Sequence, residues 1–425
     1  MISKISYIKR RENLLSYLGG CSALVMCHPS YVRNGDTEYP YRQNSFMHYL
    51  TGFDEPECAL LVLGHRPKGD RFYMFVRERD KLKELWTGKR LGVEDAPEVL
   101  GVDKAFCITE LWSMLPELLL GTEGLYYSFG KYQQDDMKLI EVLTANRIRK
   151  GRTRCGNLAV YDSETIAGKM RIIKDKEEIE SIREAARITQ KAFVGIEDFI
   201  KSAKTEREIY AYLMKGYYSA GAERESFPSI VAAGVNSCCL HYFDNSCSVK
   251  KGDLVLLDTG IEYDYYASDV SRTYTTSTMS GAQKDIYDLV LKAQLASIKV
   301  SVKGSTLKKV HDESIRVLTE GLIDLGLLSG SVESNIETGN FKKFYPHNTS
   351  HFIGLDDHDI GDYVDEKGEP RLLEPGMYFS VEPGIYCDPN DETIPEKYRG
   401  IGVRIEDDVL VTESGNEVTT EGIAK

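Results

Sequence analysis

No two cysteines of this chain are spaced as Cys-x-x-Cys, and the nine present are an odd number scattered over 425 residues. Only Cys238 and Cys239 are neighbours. That is a poor disulfide framework; it fits a reducing compartment, with the cysteines as small buried hydrophobes. Long apolar runs are missing too: "ALLVLG" stops well short of the ~20 residues a membrane span needs. The opening stretch, "MISKISYIKRRENLLSYL", mixes charge throughout and lacks the apolar centre of a secretory signal. Positive charge is in deficit, with 53 Lys and Arg against 66 Asp and Glu, a net charge of −13. Such a balance argues against a general nucleic-acid binder. Neither a repeat of solenoid period nor a low-complexity tract occurs. The expected setting is the cytoplasm, with no membrane and no nucleic acid as partner.

What is present is enough for full-sized cores. Hydrophobic residues make up 42% of the chain, and its length suits two domains. The first ~160 residues alternate short apolar runs ("CSALVMC", "ECALLVLG", "RFYMFV") with polar helical stretches, an α/β pattern. At 174 the texture changes. "KDKEEIESIREAARITQKAFVGIEDFI" carries apolar residues at helical spacing, and "TEREIYAYLMKGYYSAG" predicts a second helix. "GDLVLLDTGIEYDYYASDVSRTYTT" reads as two strands around a Gly- and Tyr-rich turn region. Two more helical stretches follow, "QKDIYDLVLKAQLASIKV" and "TLKKVHDESIRVLTEGLIDLGL", then strand-like runs again. Helices then strands, twice over, predict an α+β domain of two similar halves at 166–425, behind a smaller α/β domain at 1–165. The stretch 152–170 is expected to be the connection.

"HNTSHFIGLDDHDIG" gathers His347, His351 and His358, three of only eight histidines. One reading is an HxxxH pair on a helix that grips zinc. It fails, because Asn348 stands where a zinc-protease helix needs its Glu, and Gly354 and Gly361 disfavour a long helix. The other reading is a strand-and-loop segment that lends one ligand to a larger site. Acidic residues sit where strands would bury them: Asp258 ends "LVLLD", Asp269 opens "DVSRTY", Glu382 lies in "YFSVEPG" and Glu406 in "GVRIEDDVLV". Any one alone reads as a strand-end residue in water or in an ion pair. Four of them with His351 suit two divalent ions, whose charge they neutralise. Oxygen ligands with a single imidazole favour a hard or borderline ion such as Mn²⁺ over thiolate-type zinc. Such a pair of ions activates water near neutral pH and polarises a carbonyl.

The segments "LLDTGIEYDYYASDVSRTY", "HNTSHFIGLDDHDIG", "EPGMYFSVEPGIY" and "YRGIGVRIEDDVLVT" resemble the successive metal-binding blocks of the pita-bread metallopeptidases. Methionine aminopeptidase, prolidase and aminopeptidase P belong to that family. "DTEYPYRQNSFMHYLTGFDEPECALLV" and "LWTGKRLGVEDAPEVLG" resemble the N-domain of aminopeptidase P. The resemblance covers nearly the whole chain. It implies a pita-bread catalytic domain of the creatinase/aminopeptidase P type, with Asp258, Asp269, His351, Glu382 and Glu406 as ligands to two ions. Asp269 and Glu406 would bridge, Asp258 would complete one ion, and His351 with Glu382 the other. It further implies His241, His347 and His358 as proton-handling and substrate-orienting histidines. Arg404 would order the groups around the ligands. Trp86, which alone reads as an anchor in a core, would reach a neighbouring subunit's pocket in a homodimer or homotetramer, and Arg152 or Arg154 would meet a substrate carboxylate or else sit in a solvated basic turn. Two positions depart from the family pattern: Asn348 replaces a frequent Gly, and Phe227 replaces a Tyr. The implied activity is removal of the first residue from peptides with proline second. Prolidase is the alternative within the family. A non-catalytic binding module or a metal-free creatinase-like hydrolase is disfavoured because all five ligand positions are filled.

Overall fold

The computed structural model describes residues 2–153 and 158–425, without the side chains of 149–153. Two compact units emerge, Ile2–Met170 and Arg171–Lys425. Arg154 and the side chain of Arg152 lie outside the described residues. No described helix is long and apolar enough to cross a membrane.

The first unit is built on β1 (Ser22–Met26), β2 (Ala59–Leu63), β3 (Phe72–Val76), β4 (Lys104–Cys107), β5 (Gly124–Tyr126) and β6 (Ala159–Tyr161). They form one mixed sheet in the order β4-β3-β2-β1-β5-β6. Strands β1, β2 and β3 are buried at every position, so they read as unbroken apolar runs rather than alternating ones. Leu111 and Leu115 of the helix Leu111–Leu118 pack on Leu24, Leu61 and Phe75 of the sheet. The expectation that 152–170 is a connection is corrected over residues 158–170. β6 pairs in parallel with β5, and the helix Glu164–Arg171 follows with Ile166, Ala167 and Met170 buried. The three-residue strand is too short to show a period, which hides it in the sequence.

The second unit repeats one arrangement. Helices α1 (Lys176–Phe193) and α2 (Glu206–Ala220) precede the antiparallel strands β7 (Ile230–Ala233), β8 (Leu254–Thr259) and β11 (Val270–Thr275). Helices α3 (Gly281–Val300) and α4 (Leu307–Asp324) precede β12 (Tyr378–Val381), β13 (Gly384–Tyr386), β14 (Gly402–Arg404), β15 (Asp407–Thr412) and β16 (Gly415–Val418). Helix α1 starts on a capping box: Asp175 accepts from the Glu178 N–H at 3.0 Å, and Glu178 accepts from the Asp175 N–H at 2.9 Å. Its stripe of Ala185, Ile188 and Ala192 meets Ile209, Leu213 and Tyr217 of α2 over Val255 and Leu257 of β8. The run expected as two strands holds four. Between β8 and β11 the chain makes a hairpin of β9 (Ile261–Tyr263) and β10 (Tyr266–Ala267).

Candidate metal centre

Alternation along strands brings the acidic residues together. In β8, Val255 and Leu257 face the helices, which turns Leu256 and Asp258 to the opposite side. Across the ladder Asp258 pairs with Ser271, so Asp269 and Ser271 share that side of the adjoining strand. At the other end of the unit, Val403 and Ile405 enter a core cluster. Arg404 and Glu406 therefore point away from it. Glu382 follows directly on β12. His351 lies in an extended segment held by a bridge between Phe352 and Phe379, with no helix across 346–362.

The resulting geometry is tight. The His351 Nε2 lies 3.4 Å from the Asp269 Oδ2 and 3.7 Å from the Glu382 Oε1. Its Nδ1 lies 3.2 Å from the Phe352 carbonyl, which sets the tautomer and leaves Nε2 a lone pair for the carboxylate cluster. Ligand atoms of Asp269, His351 and Glu406 all fall within 4.8 Å of one another. Ser271 donates toward both the Asp258 Oδ1 at 2.8 Å and the Glu406 Oε2 at 2.9 Å. Arg404 donates to the Asp258 Oδ2 at 2.6 Å, to the Ser271 hydroxyl at 3.0 Å and to the Tyr386 hydroxyl at 2.8 Å.

Burial, then the neighbouring Asp258 carboxylate, pushes Asp269 well up; burial, then Asp269, does the same to Glu406. Burial raises Glu382 to about 7, and Asp408, which accepts the Asp269 N–H, to about 7. The Asp269 Oδ1 and the Glu406 Oε1 are buried and have no hydrogen-bond partner among the described residues. Buried carboxylate oxygens without donors are costly, and cations between them remove the cost. The donor set of oxygens with one imidazole fits hard or borderline divalent ions.

The five expected ligands, the three expected histidines and Arg404 line one cavity of about 540 Å³, while Trp86 lies in the first unit. His347 donates from Nδ1 to the Asn348 carbonyl at 2.8 Å and accepts at Nε2 from the Tyr386 hydroxyl at 2.9 Å. Burial, then the Arg404 charge, lowers its pKa to about 4, so it is neutral near pH 7. His358 has a side chain 75% exposed, its ring 4.2 Å from that of His351. His241 is exposed and stacks on Phe243. Phe227 and Asn348, the two departures, line the same cavity. Sequence reasoning missed Tyr386, Ser271 and Asp357. The first two lie on strands with alternating faces, where the spacing Asp269–Ser271 and Gly384–Tyr386 was the available signal. Asp357 was visible only as one of three aspartates in the histidine segment.

Residues 180–413 match the model of metallopeptidase family M24, and residues 7–126 that of the aminopeptidase P N-terminal domain. The chain is 38% identical to the Xaa-Pro aminopeptidase of Escherichia coli (strain K12), covering 100% of this chain and 96% of that protein. It is 31% identical to human Xaa-Pro aminopeptidase 3, covering 97% and 82%. The structure of Pseudomonas aeruginosa aminopeptidase PepP superposes with a TM-score of 0.94 at 38% identity, covering 100% of this chain and 96% of that one. Zinc-substituted Escherichia coli aminopeptidase P in complex with product gives 0.93 at 37% identity, again covering 100% and 96%.

Proposed function

The chain belongs to metallopeptidase family M24, with the Xaa-Pro aminopeptidases as its relatives, and we propose that it is a metal-dependent exopeptidase releasing the first residue of Xaa-Pro-Yaa peptides. The observation that carries this reading is the gathering of Asp269, Glu382 and Glu406 at His351, with Asp258 joined to Glu406 through Ser271 and two of the four carboxylates carrying buried orphan oxygens. Two divalent ions per chain, with Mn²⁺ favoured, would be held by Asp258, Asp269, His351, Glu382 and Glu406. When bound, the ions supply Lewis-acid chemistry, acidifying a water and polarising a carbonyl.

The protein's own groups do the rest. An Xaa-Pro bond is a tertiary amide with no N–H, and the proline ring restricts the residue before it. A site for it needs no acceptor at the scissile nitrogen, and its imidazoles serve the neighbouring carbonyls. His241 and His358, both exposed residues lining the cavity, would orient those carbonyls. The prolyl nitrogen must gain a proton on leaving, and the histidines carry it. Arg404 holds Asp258 and Tyr386 in place, and Tyr386 holds His347.

The first unit serves association and substrate access. Its helix Lys81–Thr87 buries no residue and shows Leu82, Leu85 and Trp86 to solvent, Trp86 at 86%. An apolar helix face of this kind supports a homodimer or homotetramer. The cytoplasm is the proposed location. A paired assay with Mn²⁺ tests the function. We expect Xaa-Pro-Yaa to be cleaved with higher kcat/KM than Xaa-Pro, and Xaa-Ala-Yaa to be a poor substrate. Hydrolysis confined to dipeptides would make the protein a prolidase; no hydrolysis of either with metal bound would refute the reading.

A further inference from the structure

The histidine segment holds three aspartates, and the fold treats them differently. Asp356 accepts from Arg171 at 2.7 Å, and Asp359 accepts from Arg171 and from Lys174 at 2.9 Å. Arg171, Lys174 and Asp359 are all buried. Those two carboxylates, Asp359 in the interior and Asp356 part-exposed, are paired with cations and lock the segment onto the residues before α1. Asp357 lies between them in the chain and turns the other way, into the cavity beside the metal centre. Its Oδ1 is buried and has no hydrogen-bond partner among the described residues. The nearest ion-pair partner is the exposed His358, with Nε2 3.9 Å from the Asp357 Oδ2, too far for a hydrogen bond.

An open acceptor in a sheltered position is retained against its desolvation cost, and a carboxylate there is matched by a cation. Arg404 cannot supply one, since its guanidinium is engaged by Asp258, Ser271 and Tyr386. Beyond the divalent ions of the proposed centre, whose ligand set does not include Asp357, a cation arrives with what fills the cavity. On the reading above, which this inference rests on, the occupant is a peptide with a free amino terminus. We propose that Asp357 is a specificity residue that accepts a hydrogen bond from a cationic nitrogen on the substrate's first residue. Two sources share that chemistry: the terminal ammonium, common to all substrates, and the side chain of a first-position Lys or Arg.

Asp357→Asn keeps the shape and removes the charge. The variant and the parent protein are loaded with Mn²⁺ and compared on Leu-Pro-Yaa and Lys-Pro-Yaa, with metal content measured by elemental analysis. Binding of leucinamide and lysinamide is followed by calorimetry. The expected result is unchanged metal content, a KM raised about tenfold and kcat altered far less, with the amide affinities falling in step. A rise for both peptides assigns the terminal ammonium, and a rise for Lys-Pro-Yaa alone assigns the side chain. Asp357→Glu should recover part of the loss. Unchanged KM and amide affinity for both series overturn the proposal, as does loss of metal, which would make Asp357 a ligand. If the parent protein cleaves neither peptide, the functional reading fails, while the amide titrations still decide the role of Asp357.

Discussion

Tyr386 joins two groups that lie far apart in the chain. Its hydroxyl donates to the His347 Nε2 at 2.9 Å and accepts from Arg404 at 2.8 Å. Tyr386→Phe deletes both bonds and leaves the ring, and we expect retained metal with turnover lowered about 10- to 100-fold, the span for a lost supporting partner. Elemental analysis beside kcat checks it; loss of metal would show that Tyr386 supports Asp258 through Arg404 rather than His347. His358 is the converse case, exposed and outside the proposed ligand set. His358→Ala should keep its metal content and lose roughly 10²- to 10⁴-fold in kcat, as for a missing proton carrier. Parent-like kcat would remove His358 from the mechanism. At this scale the acidic residues were legible, because a carboxylate that ends an apolar run must face either water or a cation. Tyr386 was not legible: a tyrosine in a strand is an ordinary core residue until its two partners are seen across the sheet.

Gly260 decides where β8 ends. A Cβ there would lie 1.8 Å from the Ser268 carbonyl oxygen and 2.6 Å from the Ser226 Oγ, so the backbones approach more closely than any side chain permits. Gly260→Ala should destabilise the protein by about 1–3 kcal/mol or more through overpacking. Gly281, the first residue of α3, has open space at its Cβ position, and Gly281→Ala should be neutral or slightly stabilising. Chemical denaturation of the pair checks both, and equal stabilities would show that the strands part to admit the methyl group. The helices were legible from period and caps, as the Asp175 box on α1 shows. The hairpin after Gly260 was not. It turns on Asp264 and Tyr265, both with positive φ (52° and 68°), where an Asn-Gly or Asp-Gly pair would have announced a two-residue turn. Local sequence opposes that turn, and Tyr265 tolerates it with its side chain buried, a tertiary outcome that propensity does not contain.

Taken as a whole, the molecule carries two features that single residues do not explain, an exposed apolar helix on the first unit and a dense negative cluster in the second. For the first, Trp86→Ala should weaken self-association by sedimentation and raise the KM for Xaa-Pro-Yaa. A fully active monomer that ignores the substitution would end the proposed role of this helix. The second sets a pH dependence in the metal-free protein. Burial holds Glu382 and Asp408 at about 7, and Asp269 and Glu406 are raised as well. In the unfolded chain such groups titrate near ~4. Because the folded pKa lies above the unfolded one, the folded state holds more protons, and the stability this confers is present below about pH 4. It is lost as pH rises toward about 7, where the carboxylates ionise against one another in a buried site. Divalent ions reverse that loss, and they bind better as their ligands deprotonate, so the two effects act in the same direction. Groups elsewhere titrate alike in both forms and cancel from the difference. The gap in Tm between metal-loaded and chelated protein should therefore be small near about pH 5 and widen steadily to about pH 8. A gap of constant size across that range would mean that the ions stabilise the fold through something other than this carboxylate cluster.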